Sequence, residues 1–276
     1  MIKKDYLKKL NKNKKPFIIY KTIKGFDLYT DFSKKIILSN KNTHSFINKI
    51  NKNISKNKST DLFIGFFGYE ILNNLIGIKI PKQKGVNFPK GIFYKPETRV
   101  KFRNKLSYKS QYTNDLKDTF KININKNSYN KIFNKFKKKI KSGQTYQIKI
   151  CTKYRNQAKI DPLDFFCRLM KSNIAPESFM IKDIDYSIIS CSPENLITKK
   201  KNLISTKPIA GTLKKSKKFN KRKALSFFQK TIKETKEHNM IVDMERSDLS
   251  KICRPGSVKI IKKKTVEEYK DLYHYV

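Results

Sequence analysis

Lys207-Pro208-Ile209-Ala210-Gly211-Thr212 reads as a strand that ends in a glycine. Gly211 lets a ligand approach the backbone, and Thr212 offers a hydroxyl and an amide to a carboxylate. Upstream stands Ser192-Pro193-Glu194, where an apolar strand ends in a turn. That position predicts a partly buried Glu194 carboxyl suited to act as a general acid. Downstream come Glu237-His238-Asn239-Met240-Ile241-Val242-Asp243 and Arg246-Ser247-Asp248-Leu249. Cys253-Arg254-Pro255-Gly256-Ser257-Val258 follows, and His274 stands near the end of the sequence. On a helix, Glu234, Glu237 and Ile241 fall near one face. Taken alone, Glu237 reads as a helix glutamate paired with a neighbouring lysine.

The composition narrows the function class. A formal charge of +42 invites a nucleic-acid reading. The basic residues are nearly all Lys, spread evenly with Asn and Ile, while Arg appears at scattered positions such as Arg99, Arg168 and Arg246. Nucleic-acid binders cluster their charge and use Arg forks. The even spread therefore reads as a compositional bias, with the charge diffuse over the surface. Cys151, Cys167, Cys191 and Cys253 form no C-x-x-C pair, and only His44, His238 and His274 could assist them, which argues against zinc. Scattered thiols fit a reducing, cytoplasmic setting. Residues 1–15 read as a basic arm or short helix without the apolar core of a signal peptide. No apolar run is long enough to span a bilayer. With 38% apolar residues, 19 Phe and 14 Tyr, the chain can fill a sizeable core.

Along the chain, strands are predicted over 16–22, 26–32 and 35–38, and a helix over 45–54. The run Leu62-Phe63-Ile64-Gly65-Phe66-Phe67-Gly68-Tyr69-Glu70 predicts close backbone packing at a strand-to-helix join. Residues 81–90 read as a loop and 92–102 as strand. A strand is expected near 120–125. Ser128 then caps a helix carrying Ile132, Phe133, Phe136 and Ile140, with Gly143 beyond its end. Alternation of Tyr146, Ile148 and Ile150 with Gln147, Lys149 and Cys151 predicts a half-buried strand. Asp161-Pro162 opens a further helix. Strands follow at 178–181, 186–191, 196–198 and 203–209, with a turn at Asp183-Ile184-Asp185. One long helix is expected over 221–253, ended by Pro255-Gly256, then a strand over 257–261 and an element from 267. Runs of strands separated by a few helices argue for an α+β architecture. A boundary near Asn125 divides residues 1–125 from 126–276.

In this order and spacing, the motifs from Ser192 to His274 resemble the chorismate-utilising enzymes, specifically component I of anthranilate synthase and of aminodeoxychorismate synthase. The resemblance covers 143–276 and is thin before that. It implies two packed, mainly antiparallel sheets flanked by helices, with chorismate between them, and an N-terminal region of the component I type over 1–125. It implies Mg²⁺ as cofactor, with Glu237 as a ligand, because a hard divalent ion takes carboxylate oxygens. Glu194 then protonates the departing 4-hydroxyl, and His274 lies near the reacting ring and serves elimination of pyruvate. Ala210, Gly211, Thr212 and Gln147 are expected to line the substrate site. The isochorismate branch places Lys where Gln147 stands to activate water, and an amide lacks that basicity. Lys149 shares the Gln147 face of a strand. Many aminodeoxychorismate synthases carry a nucleophilic Lys where Ala210 stands, so Ala210 favours direct ammonia addition. The implied activity is that of an anthranilate synthase lyase of tryptophan biosynthesis, fed with ammonia by a glutamine amidotransferase subunit. Aminodeoxychorismate synthase of the folate pathway is the alternative, and a basic nucleic-acid-binding protein the third reading. Family members continue past the His274 segment, so the chain is expected to be incomplete at its C-terminal end. Ser247 stands where the family usually has Asn, and a Leu-Leu-Glu-Ser-like tryptophan element is missing.

Overall fold

A computed structural model describes residues 4–13, 15–39, 41–54, 62–77, 88–103, 106–110 and 119–276. In chain order the elements are helix Lys4–Lys12 (α1), strands Phe17–Thr22 (β1) and Gly25–Ile37 (β2), helix Thr43–Ile54 (α2), and strand Ile64–Phe67 (β3). Helix Leu72–Leu75 (α3), strands Gly91–Phe102 (β4) and Lys121–Ile122 (β5), helix Lys126–Lys141 (α4), strand Tyr154–Arg155 (β6) and helix Pro162–Ser172 (α5) come next. Strands Glu177–Lys182 (β7), Ser187–Ser192 (β8), Asn195–Lys200 (β9), Leu203–Lys207 (β10) and Thr212–Lys214 (β11) follow. Helices Lys221–Lys230 (α6) and Ile232–Ser250 (α7) and strands Val266–Glu268 (β12) and Leu272–Tyr275 (β13) complete the order. Every strand pair is antiparallel, so the fold is α+β.

The contacts divide the chain into two compact units, Met1–Tyr108 with Phe166–Val276, and Lys109–Phe165. The division expected near Asn125 falls at the start of α4, inside the second unit.

In the first unit, six strands form a sheet in the order β3-β4-β2-β1-β7-β8. β1 is central and buries Phe17, Ile18 and Ile19 in succession, as a strand covered on both faces must. Ile18 packs with Tyr29, Ile92, Tyr94 and Ile181. The two strands expected over 26–32 and 35–38 are one bent strand, β2. Its register with β4 slips between Phe32 and Lys34, and Asp31 takes a φ of 52°. A bulge of this kind absorbs one residue and lets the ladder continue. The aromatic glycine run behaves as expected: a Cβ on Gly65 would overlap the Ile92 carbonyl, and β3 passes into a 3-10 turn at Tyr69–Ile71 and then α3. The β7–β8 turn buries Asp183, which the Tyr94 hydroxyl and Lys35 Nζ (2.6 Å) both engage. Burial pushes the Asp183 carboxyl up, but Lys35 and Tyr94 outweigh it and hold the group below the usual carboxylate range.

Downstream, β9 and β10 form a hairpin, and β11, β13 and β12 form a three-stranded sheet in that order. The single helix expected over 221–253 is two. Thr231 leaves the helix at φ −83°, ψ 104°, and its amide (3.0 Å) and hydroxyl (2.8 Å) both donate to the Phe227 carbonyl. That back-bonding by a β-branched threonine offers the backbone an alternative to the helical ladder. The strand expected over 257–261 does not form, because it meets no partner strand among the described residues.

In the second unit, β5 pairs with β6. Helix α4 begins a turn earlier than expected: Asn125, not Ser128, is the cap, and its side chain accepts from the Ser128 amide at 2.8 Å. Gly143 follows the end of α4 with a φ of +72°, the left-handed position glycine favours. Asp161 caps α5 as expected, accepting from the Leu163 amide at 2.9 Å and the Asp164 amide at 3.0 Å. The strand expected over 146–151 is not formed. Its alternating pattern survives only as half-burial of Ile148 and Ile150, since a strand needs a ladder and none is offered among the described residues. Most of the loop expected over 81–90, and residues 1–3 of the basic arm, lie outside the described residues. No helix among the described residues is long and apolar enough to cross a membrane.

Candidate active site

The three-stranded sheet brings two of the predicted residues into contact. Thr212 on β11 stands opposite His274 on β13, and Glu267 on β12 stands opposite His274 from the other side. Residues opposite one another in antiparallel strands share a face. The alternate positions Tyr273, Tyr275 and Val266 bury against Ala224 and Phe228 of α6, and Leu213 packs on them. That apolar layer fixes which way the strands face. Thr212 Oγ1 lies 3.0 Å from His274 Nδ1. His274 is buried, 8% exposed, although it stands two residues from the last residue of the sequence. The ring of Tyr269 meets the imidazole edge-to-face at 5.1 Å.

Glu267 is engaged at both oxygens. Lys207 Nζ donates to Oε1 at 2.5 Å and the Tyr269 hydroxyl donates to Oε2 at 2.9 Å. Burial pushes this carboxyl up, yet the two donors outweigh it and hold it below its ordinary value. Burial and the Glu267 charge together push the Tyr269 hydroxyl up.

The strip before β11 is pinned along its backbone. The Ala210 amide donates to the Tyr275 carbonyl at 2.9 Å, and the Tyr275 amide donates to the Gly211 carbonyl at 3.2 Å. Ala210 is buried. Gly211 has a φ of +91°, and a Cβ there would meet Glu234 Oε2 at 2.7 Å and Phe228 Cε1 at 3.0 Å. Only glycine fits this position without strain. Glu194 reaches the same strip, accepting from the Ile209 amide at 3.4 Å. Its turn is closed by Ser192, whose hydroxyl accepts from the Glu194 amide at 3.2 Å and donates to the Glu194 carbonyl at 3.1 Å. Glu194 is exposed rather than partly buried as expected, because this tight turn carries it past the end of β8.

Helix α7 carries the remaining carboxylates. Glu234 lies against Gly211, and Glu237 follows one turn later, half-buried, with no hydrogen bond or ion pair among the described residues. His238 is buried with its ring 4.7 Å from that of Tyr275, which is a packing role. Burial pushes His238 down, against an opposing pull from the Val276 backbone. Among the described residues no three His, Cys, Asp or Glu side chains gather to hold a metal. Mg²⁺, however, keeps several waters and takes one or two carboxylates. Glu234 and Glu237, at a spacing that sets their Cβ atoms about 5–6 Å apart on a helix, supply that number of hard oxygen donors.

Gln147 lies in the second unit, exposed and outside any strand; its carbonyl accepts from the Thr145 hydroxyl at 3.1 Å. The structure thus joins Thr212 to His274 and brings Glu194 and Glu234 to the strip between Ile209 and Gly211. Sequence reasoning assigns no role to Lys207, although it opens the deciding stretch, or to Glu267 and Tyr269. Glu267 and Tyr269 stand two apart just before His274, but nothing in the sequence reveals the register that lines them up with it. An open cavity of about 870 Å³ is lined by Tyr20, Lys21, Arg99 and Glu177, and Tyr269 belongs to its wall as well.

A family model described as chorismate binding enzyme matches residues 7–276. Anthranilate synthase component 1 of Saccharolobus solfataricus is 34% identical over 154 residues, which are 55% of this chain and 37% of that protein. Aminodeoxychorismate synthase component 1 of Bacillus subtilis is 31% identical over 159 residues, 57% of this chain and 34% of that protein. The chain therefore matches little more than a third of the length of these two relatives. The crystal structure of anthranilate synthase component I from Streptococcus pneumoniae superposes with a TM-score of 0.70 at 19% identity, covering 94% of this chain and 68% of that one. With the family match running over nearly all of its residues, this chain belongs to the chorismate binding enzymes.

Proposed function

We propose that the chain is the chorismate-binding component of an anthranilate synthase, in which ammonia adds to chorismate at C2, the 4-hydroxyl departs as water, and pyruvate is eliminated. The observation that carries this reading is the Thr212–His274 contact at 3.0 Å, on the same strip that Glu194 approaches at Ile209. Thr212 offers its hydroxyl to a substrate carboxylate while sharing it with His274. Glu194 gives its proton to the departing hydroxyl; in that role its exposed carboxyl is covered by the bound ring. His274, at the opposite strand, exchanges the proton that moves when pyruvate leaves. Ala210 cannot attack the ring, so ammonia adds directly. Mg²⁺ held by Glu234 and Glu237 would neutralise a substrate carboxylate. Ammonia is proposed to come from a separate glutamine amidotransferase, in keeping with relatives named as component 1.

A second reading, aminodeoxychorismate synthase, is favoured by one observation: a relative of that name matches at nearly the same identity, 31% against 34%. The test is titration of the chain with chorismate in the presence and absence of Mg²⁺, followed by product chromatography with ammonium present. The expected result is Mg²⁺-dependent chorismate binding, weakened in Glu237→Gln and Thr212→Val, with anthranilate as any product formed. A product that retains the enolpyruvyl group selects the second reading. Chorismate binding that ignores both substitutions overturns the assignment.

A further inference from the structure

The most heavily bonded charge beside the site is one that no role above uses. Glu267 stands directly across β13's ladder from His274, and both of its oxygens are held, one by Lys207 and one by Tyr269. Opposite residues in an antiparallel pair bring their Cβ atoms within about 4.5–5.5 Å and their side chains to one face. Tyr269, tied by its hydroxyl to Glu267, sets its ring edge-to-face against the imidazole at 5.1 Å. Thr212 holds Nδ1 from the opposite strand, and Nε2 makes no hydrogen bond among the described residues.

We propose that Lys207, Glu267 and Tyr269 are positioning residues that lock the His274 imidazole in one orientation, with Nδ1 kept on Thr212 and Nε2 left for the substrate. This rests on the reading of His274 as the group that faces chorismate. An imidazole bonded at one nitrogen only can turn over about its χ2 axis, exchanging Nδ1 with a carbon. An aromatic wall on the far side opposes that rotation, and the wall is only as rigid as the hydroxyl that anchors it. Glu267 provides the anchor, and Lys207 keeps Glu267 from swinging toward solvent, which it could do at 34% side-chain exposure. Lys207 also begins the strip that ends at Thr212, so one ion pair ties the start of that strip to β12 while Thr212 ties its end to β13. A histidine that merely filled space would need neither tie.

The test reads the imidazole itself. In ¹H–¹⁵N spectra of the full chain, three histidines are observed, and His274→Gln identifies the signal of interest. The unaltered chain is expected to show His274 as a single tautomer. Lys207→Met and Glu267→Gln are expected to bring it into averaging between tautomers while the His44 and His238 signals stay in place, and Lys207→Arg is expected to restore the single form. Should either variant fail to fold, Tyr269→Phe, which removes one hydroxyl, is expected to give the same averaging. Where chorismate turnover is present, kcat should fall about tenfold to a hundredfold with KM nearly unchanged, the mark of lost alignment rather than lost binding. A His274 signal that remains one tautomer in Glu267→Gln and Tyr269→Phe overturns the proposal. A chain that never engages chorismate removes the enzymatic reading and leaves the spectroscopic result to stand by itself.

Discussion

Replacing Gly211 with alanine should damage the fold and the site together, and the two losses can be separated. At a φ of +91° an alanine is strained whatever space surrounds it, at a cost of about 1–3 kcal/mol. The new methyl meets two neighbours of different kinds. Glu234 Oε2, at 2.7 Å, is the far end of a flexible side chain and can step aside cheaply. Phe228 Cε1, at 3.0 Å, belongs to a ring that is 1% exposed and stacked on Tyr275 at 5.1 Å, so it cannot. Crowding of this sort costs about 1–3 kcal/mol. The unfolded chain loses some freedom when glycine becomes alanine, which returns about 0.4–1 kcal/mol. The net loss is therefore about 1–6 kcal/mol, measured as a fall in the urea midpoint at unchanged slope. The double variant Gly211→Ala with Glu234→Ala should recover less than about 1 kcal/mol, because the backbone strain and the Phe228 contact persist. Displacing Glu234 should also weaken any Mg²⁺-dependent chorismate binding in the single variant. A Gly211→Ala chain of undiminished stability would refute the reasoning, and full recovery in the double variant would show that the carboxylate, not the backbone, sets the requirement for glycine.

Three further outcomes are expected. Asp183→Asn should cost about 2–4 kcal/mol in the same denaturation assay, since it strips a buried carboxylate from Tyr94 and Lys35; a loss within error would mean that the network is ornamental. Because the folded value of Glu267 lies below its ordinary 4.5, its contribution to stability is present above that pH and is lost as pH falls through the lower folded value. Lys207→Met should flatten that acid limb, and an identical acid profile would show that the pair is not coupled. Burial holds His238 below its ordinary 6.5, so stability should be full above that pH and decline as pH falls from there through the folded value. His238→Gln should remove that decline in a pH series of thermal melts, and an unchanged slope would assign it to another group.

Local chemistry was the most legible part of the sequence. The Asp161 cap, the close approach at Gly65 and the β7–β8 turn were each readable because a few adjacent residues decide them. What depended on a distant partner was not. The alternation over 146–151 is as regular as that of a strand, yet alternation reports two faces and says nothing of a neighbour to bond. The break at Thr231 is invisible to helical periodicity, since Phe228 on one side and Ile232 on the other keep the apolar spacing. The candidate site divides in the same way. Gly211, Thr212, Glu194 and Glu237 stand out by residue type and motif, whereas Lys207, Glu267 and Tyr269 matter through a register between β11, β12 and β13 that only folding creates. For Glu194 the motif predicts the turn but not the exposure, because one serine hydroxyl closes that turn tightly enough to carry the carboxyl into the open.

The position of β1 in the six-stranded sheet has a consequence for biosynthesis. Ile18 and Ile19 pair on one edge with β2, which follows at once, and Phe17, Ile18 and Ile19 pair on the other with β7, where Ile18 faces Ile181. At about 5–20 residues per second on the ribosome, roughly 8–30 s separate the emergence of the two partners. Throughout that interval β1 can offer a nascent sheet with one edge unbonded and three apolar side chains alongside, the kind of edge that recruits strands from neighbouring chains. That edge closes only when β7 emerges, so for this interval the exposure lies in the order of the strands along the chain rather than in the finished sheet.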